Sequence, residues 1–425
     1  MNSKLVALAV PFFFVLILVE VLVSRAQREK RYRFQDSITD LSCGLGEQVL
    51  LPFFKTIMLG GYAFLYARRA YSFSSGSVLA WVLLLIGVDV AYYAFHRASH
   101  RVNFIWATHV VHHQSEEYNL AVALRQSWFF KLIEPVFYLP LAVAGFPPEM
   151  FVVMSTLNTL YQFWIHTRAV GKLGPFEWFM NTPSHHRVHH GINPKYIDKN
   201  YAGVFIVWDR MFGTFQAEED EPVYGLVKPL ASYNPVWANV HYWFEMARMA
   251  GDAKGFADKV KVWFAPPEWR PASLGGKVTV PEVSRAAQRK YDVKTSRALN
   301  AYVVAQFVIV GAAMMTINVL QSSLSELDLA IMTAPILATL LAWGALFEAK
   351  RWAVPFELAR LCCVPVAVAM VTHGSALFFP ATGVAIAASL VFCVWLLALS
   401  RATGASRTTA EAEAPSSSAS ISEGA

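Results

Sequence analysis

Long apolar blocks separated by short polar stretches run through most of the chain. Residues 5–23 (LVALAVPFFFVLILVEVLV) are long enough to cross a bilayer, despite Pro11 and Glu20. A second block covers 48–66, where Lys55 either snorkels or marks a break in the helix, and a third covers 78–95. Trp128–Phe146 and Met150–Ile165 follow as a close pair. They are joined by GFPPE, whose Gly145, Pro147 and Pro148 make a tight turn, so the pair either spans as a hairpin or re-enters. Residues 166–297 contain no block of spanning length. Four more blocks occupy 299–320, 329–347, 353–372 and 377–399, the third of them carrying Glu357, Arg360 and Pro365. The pattern predicts an all-α integral membrane protein with about nine transmembrane helices. Three regions follow from it: residues 1–297, a membrane domain holding spans 1–5 and a polar region; 298–400, C-terminal transmembrane helices; and 401–425, a disordered Ser-, Ala- and Glu-rich tail.

Charge orients the spans. Arg25, Arg28, Lys30, Arg31 and Arg33 follow the first block directly, EAKRW (Glu348–Trp352) separates the seventh and eighth, and Arg401 and Arg407 open the tail. The intervening loop QSSLSELD carries no base, so the basic segments and the long polar region face the cytoplasm. Within that region, Val236–Met249 mixes aromatic and charged residues like a helix lying in the membrane interface. Composition agrees: 55% hydrophobic residues and a mean hydropathy of +0.38 are too apolar for an ordinary soluble domain. The net charge of +6 suits cytoplasmic loops and implies no nucleic-acid partner. The four cysteines, Cys43, Cys362, Cys363 and Cys393, lack metal-binding spacing and predict no disulfide framework.

The polar region also carries the candidate chemistry. Of twelve histidines, ten lie between His96 and His190. They form HRASH (His96, His100), HVVHH (His109, His112, His113) and SHHRVHH (His185, His186, His189, His190), with His166 alone between. Spacings of three and four place histidines on one helix face, and no acidic or cysteine cluster competes for a metal. One structural zinc takes about four ligands, so nine or ten imidazoles ask for two ions. Zinc hydrolysis sites usually keep three protein ligands and two-metal hydrolases normally bring carboxylates, which makes a redox-active iron pair the better match. Asp89, Tyr93, His96 and His100 share one helical stripe. Asp89 is therefore an outer-shell candidate that either accepts a hydrogen bond from a ligating imidazole or bonds elsewhere in the bundle. Lys131 and Glu134 are expected to pair as ions, and His241 and His373 to be structural. A membrane metal transporter or sensor is the reading from a different class, but it would place its ligands near mid-membrane.

With these motifs in place, the chain resembles the fatty acid hydroxylase superfamily, also called the sterol desaturase family. Its pattern of HxxxH, HxxHH and a later HxxHH is matched by His96 and His100, by His109, His112 and His113, and by His186, His189 and His190. HRASH, ATHVVHHQSEEYNLAVALRQS and PSHHRVHHGINPKYIDKNYAGVFIVWDRMFGTFQAE are most similar to the alkylglycerol monooxygenase branch of that superfamily. The resemblance implies a membrane monooxygenase with two Fe, acting with O2 on a lipid drawn from the bilayer. The lipid is an alkylglycerol, cleaved to fatty aldehyde and glycerol, or, in sister enzymes, a sterol, carotenoid or fatty acyl chain. It implies His166 as a ninth ligand, with His185 as second choice, and a cytoplasmic reductant, either tetrahydrobiopterin or an electron-transfer protein. Glu116, Tyr118, Asn119, Arg125 and Gln126 either line the substrate or pterin pocket or fix the loop, and Asn200 and Tyr201 are comparable. One departure bears on pterin use: the family motif commonly has glutamate after the second histidine, and this chain has Arg101. The membrane implied is the endoplasmic reticulum in a eukaryote or the cell membrane in a bacterium.

Overall fold

A computed structural model of the chain describes the backbone of residues 3–413 and the side chains of residues 11–401, other than 55 and 56. Among the described residues it is all-helical, with two isolated β-bridges and no strand. Helices α1 (Ser3–Ala26), α2 (Phe34–Tyr66) and α3 (Val78–Arg101) come first. Two single turns follow, α4 (Asn103–Trp106) and α5 (Val110–His113). Next are α6 (Phe130–Ile133), α7 (Pro135–Ala144) and α8 (Pro148–Trp164). The polar region adds α9 (Pro183–His189), α10 (Val207–Met211), α11 (Pro235–Asp252) and α12 (Phe256–Phe264). A final bundle contains α13 (Arg297–Leu320), α14 (Glu326–Phe347), α15 (Ala353–Thr372) and α16 (Phe378–Glu413). Serine side chains cap α3, α13 and α14 by accepting from the third residue on, as Ser77 does from Ala80 N.

Among the described residues, five helices are long and apolar enough to cross a membrane: α3, α13, α14, α15 and the Phe378–Arg401 part of α16. A sixth arises if the two arms of α2, Phe34–Phe54 and Ile57–Tyr66, set at 47°, form one broken span. That bend falls at Lys55, whose side chain lies outside the described residues, as does part of the expected span 5–23. The count among the described residues is thus below the nine expected; besides the partly described block 5–23, the block Trp128–Phe146 is interrupted. Pro135 starts a new helix, α7, whose ten residues reach only roughly 15 Å. α8, with seventeen residues, is at the lower limit of a span. Gly145 (φ 99°) turns the chain between them, and a Cβ there would lie 2.1 Å from the Tyr71 carbonyl oxygen. α16 continues past Arg401 to Glu413, while residues 414–425 of the expected disordered tail lie outside the described residues.

α2 is the spine between two cores. Its first half packs Leu45 and Val49 with Leu340, Trp343 and Ile317 of the C-terminal bundle. Its second half sends Tyr62 onto Phe151, with ring centroids 4.5 Å apart, in a core shared with α3, α7 and α8. Large apolar side chains stay exposed on the bundle's outer faces, among them Val308, Phe379, Leu390 and Val394, as lipid contact requires. The C-terminal bundle is pinned internally by Glu357, which accepts from Tyr302, Gln306 and Arg360. The part of α3 that leaves the apolar core carries the first histidines.

Candidate metal centre

Two buried groups of imidazoles form at the end of α3. His96, His100, His109, His113 and His189 make one group of five, and His112, His166, His186 and His190 a group of four. All nine expected histidines are present in these groups. His185, the second choice, lies outside both, against Phe215.

Helical spacing explains how each motif divides. In HVVHH, His109 and His113 stand four apart and face the first group, while the intervening His112 turns to the second. In α9 the arrangement is reversed: His186 and His190 face the second group, and His189 crosses to the first. Pro183 starts α9, where a missing N–H costs nothing, and the short helix is buried throughout. HxxHH is therefore a bridge between two sites, with its i,i+4 pair in one and its third histidine in the other.

Backbone carbonyls fix the orientation of four rings. Nδ1 of His96 donates to Tyr201 O at 2.8 Å, of His112 to Arg125 O at 3.0 Å, of His166 to Gln162 O at 2.7 Å and of His189 to Lys199 O at 3.0 Å. Each Nε2 is then a bare lone pair. Yet Nε2 of His112 faces Nε2 of His166 at 3.0 Å, so two acceptors meet with no proton to share. Similar contacts of 3.0–3.2 Å join His96 and His189 to the first group and His186 to the second. Nitrogens roughly 2.1 Å from a shared cation stand roughly 3.0 Å apart at right angles and roughly 3.4 Å apart in a tetrahedron. Nε2 of His100 and of His190 are buried with no partner at all. Burial keeps the imidazoles neutral, as a ligand must be: it pushes His112 down to about 4 and His189 to about 3, and His109, His113, His166, His186 and His190 well below their usual range. This all-imidazole, carboxylate-free donor set fits iron.

Asp89 does not touch an imidazole. Its carboxylate accepts from Asn158 Nδ2, Val204 N, Phe205 N and Trp208 Nε1 at 2.8–2.9 Å, so it fastens the chain after α9 to α3. For His96, His112, His166 and His189 the outer partner is a backbone carbonyl, which no side-chain stripe could reveal. Lys131 and Glu134 do pair, at 2.6 Å. Among the candidate pocket residues, Arg125 bonds Asp40, Val111 O and Gln114, and Glu116 accepts from Tyr291 N. Asn119 donates to Arg31 O, Gln126 to Ala123 O and Tyr118 to Ile165 O. Their hydrogen bonds hold the frame around the second group, and Tyr118 also lays its ring over His166, 5.9 Å away. Asn200 joins His185 O to Gln216 O.

Several residues escaped sequence reasoning. Glu20, an oddity in an apolar block, accepts from Leu120 N at 2.8 Å and from Tyr32 and Thr167, anchoring α1 to this region. Arg31 and Arg33, in the basic run that follows the first apolar block, pair with Glu29 and Glu117. Trp106 lies tilted against His100 and His113, with ring centroids 4.9 and 5.5 Å apart. Only the intramembrane position of Glu20 was a usable signal.

Comparison with known proteins places these residues in a wider group. The family model for fatty acid hydroxylase matches residues 81–214, which contain all nine clustered histidines. Alkylglycerol monooxygenase of Homo sapiens is 39% identical over 356 residues, covering 83% of this chain and 80% of that protein. The protein of the same name from Xenopus tropicalis is 37% identical, covering 83% and 79%. An ornithine lipid hydroxylase of Rhizobium tropici is 26% identical over 32% of this chain and 41% of its own length. No solved structure matches.

Proposed function

The chain belongs to the fatty acid hydroxylase family, as a lipid-hydroxylating membrane monooxygenase, and we propose that it is a di-iron enzyme that cleaves alkylglycerols. The observation that carries the di-iron reading is the pair of buried imidazole groups in which Nε2 lone pairs meet without a proton. His96, His100, His109, His113 and His189 would hold one ion, and His112, His166, His186 and His190 the other. Bound iron supplies the activation of O2. The residues of the chain bury all nine imidazoles, orient four of them through backbone carbonyls, exclude water, and present the site at the end of α3. Hydroxylation of the ether-bearing carbon yields a hemiacetal, which separates into fatty aldehyde and glycerol. The alkyl chain reaches the site from the bilayer, where it keeps about 0.8 kcal/mol per buried CH₂ that exposure to water would forfeit.

The histidine region faces the cytoplasm in this reading. The basic residues after α1 and between α14 and α15 support that side, which is the same whether the α7–α8 hairpin crosses, giving nine spans, or re-enters, as its length favours. The reductant arrives from the same side, with tetrahydrobiopterin as the first to test. Arg101, at the position that marks the departure from the family motif, is engaged with Asp198 and Glu268. The deciding assay follows aldehyde release from an alkylglycerol by purified protein with and without tetrahydrobiopterin. Release only with pterin is expected. Turnover only with a ferredoxin or cytochrome donor would move the chain to a sister activity.

A further inference from the structure

Four consecutive residues, Asp198–Tyr201, serve three histidines of the five-histidine group. Lys199 O accepts from His189 and Tyr201 O from His96. The Tyr201 ring lies 5.3 Å from that of His100 and 5.9 Å from those of His96 and His189. The third histidine, His100, receives no carbonyl among the described residues. What faces its Nδ1 is the Asp198 carboxylate, 3.9 Å away, an electrostatic contact longer than a hydrogen bond, while its Nε2 is buried with no hydrogen-bond partner among the described residues.

The segment has a defined turn shape. Asp198 and Asn200 sit at φ 60° and 56°, in the left-handed region that Asp and Asn adopt more readily than other residues with a Cβ. Asn200 Nδ2 ties it to His185 O and Gln216 O, and the Asp209 carboxylate accepts from Tyr201 N and Ala202 N. At its outer end Asp198 is gripped by Arg101, the residue directly after His100 and the last of α3. Arg101 also meets Glu268 at 3.4 Å, so its charge is balanced by two carboxylates.

We infer that Asp198, pinned by Arg101, is a positioning residue that turns Nε2 of His100 into the five-histidine group. This rests on the metal reading proposed above. A carboxylate beside Nδ1 favours the tautomer with the proton on Nδ1 and leaves Nε2 to ligate, the role that carbonyls play for His96 and His189. Arg101 keeps that carboxylate from swinging out to solvent. Among the described residues, the ion pairs of Asp198 and Arg101 reach His100 and Glu268 and none of the four-histidine group.

The test uses the full chain in detergent, cleared of metal and titrated anaerobically with ferrous iron, with two affinities resolved per chain. In wild type, two equivalents are expected. Arg101→Ala and Asp198→Ala should each weaken one equivalent by roughly 10–100-fold and leave the other unchanged. The double variant should be no weaker than Asp198→Ala, because Arg101 acts through Asp198. Arg101 is part exposed, so its variant decides the matter if Asp198→Ala does not fold. Unchanged affinities in both variants, equal weakening of both equivalents, or additive losses in the double variant would overturn the inference. A wild type that takes up no iron would instead refute the metal reading beneath it.

Discussion

Replacing Asp89 is the sharpest probe of how the histidine region is fastened to the membrane helices. One oxygen of its fully buried carboxylate accepts from Asn158 Nδ2 and Val204 N, the other from Phe205 N and Trp208 Nε1. In Asp89→Asn the amide oxygen can still serve one pair, but the NH₂ then faces two donors. Each stranded donor costs roughly 1–3 kcal/mol, so the variant should lose about 2–6 kcal/mol. Asp89→Ala strands all four donors, and about 4 kcal/mol or more is expected even if water enters. There is little room for adjustment, because Gly203 would bring a Cβ within 2.8 Å of Asp89 Oδ1. The assay is the thermal midpoint of metal-cleared protein in detergent. Asp89→Asn should fall by several degrees and Asp89→Ala further. An Asp89→Asn midpoint equal to that of wild type would refute the clamp.

Two other outcomes follow from the same contacts. Arg125→Ala leaves the buried Asp40 without its ion partner at 3.0 Å, which should cost roughly 3–5 kcal/mol in a detergent melt; Arg125→Lys should restore little, since one ammonium cannot replace three guanidinium contacts to Asp40, Val111 O and Gln114. In metal-cleared protein His112 and His189 are held near 4 and 3, below the ordinary 6.5 of the unfolded chain. Their protonation therefore favours unfolding as pH drops below 6.5, by about 2 kcal/mol per histidine between pH 6.5 and 5, until the folded values are passed. A melting midpoint that stays level from pH 7 to 5 would contradict this.

The histidines were legible because their chemistry and spacing are local. Four-residue separation on a helix is enough to pair His109 with His113 and His186 with His190. Which pair shares a site with His166 was not legible, since that depends on how α8 and α9 meet. Asp89 shows the same divide. Its stripe with His96 and His100 on α3 holds, but its partners lie at Val204, Phe205 and Trp208, far along the chain. The C-terminal spans were plain in the apolar blocks, whereas Trp128–Phe146 read as one span because hydropathy ignores the break that Pro135 makes. The carbonyls of Lys199, Tyr201, Arg125 and Gln162 belong to the backbone, so no residue pattern could point to them.

The central claim is that nine imidazoles form two separable metal sites, and counting metal tests it directly. Wild-type protein loaded with ferrous iron and desalted should hold two equivalents per chain. His189→Ala, which opens the five-histidine group, and His186→Ala, which opens the four-histidine group, should each hold about one, and the double variant none. Fewer than two equivalents in wild type, with both single variants unchanged from it, would contradict the claim.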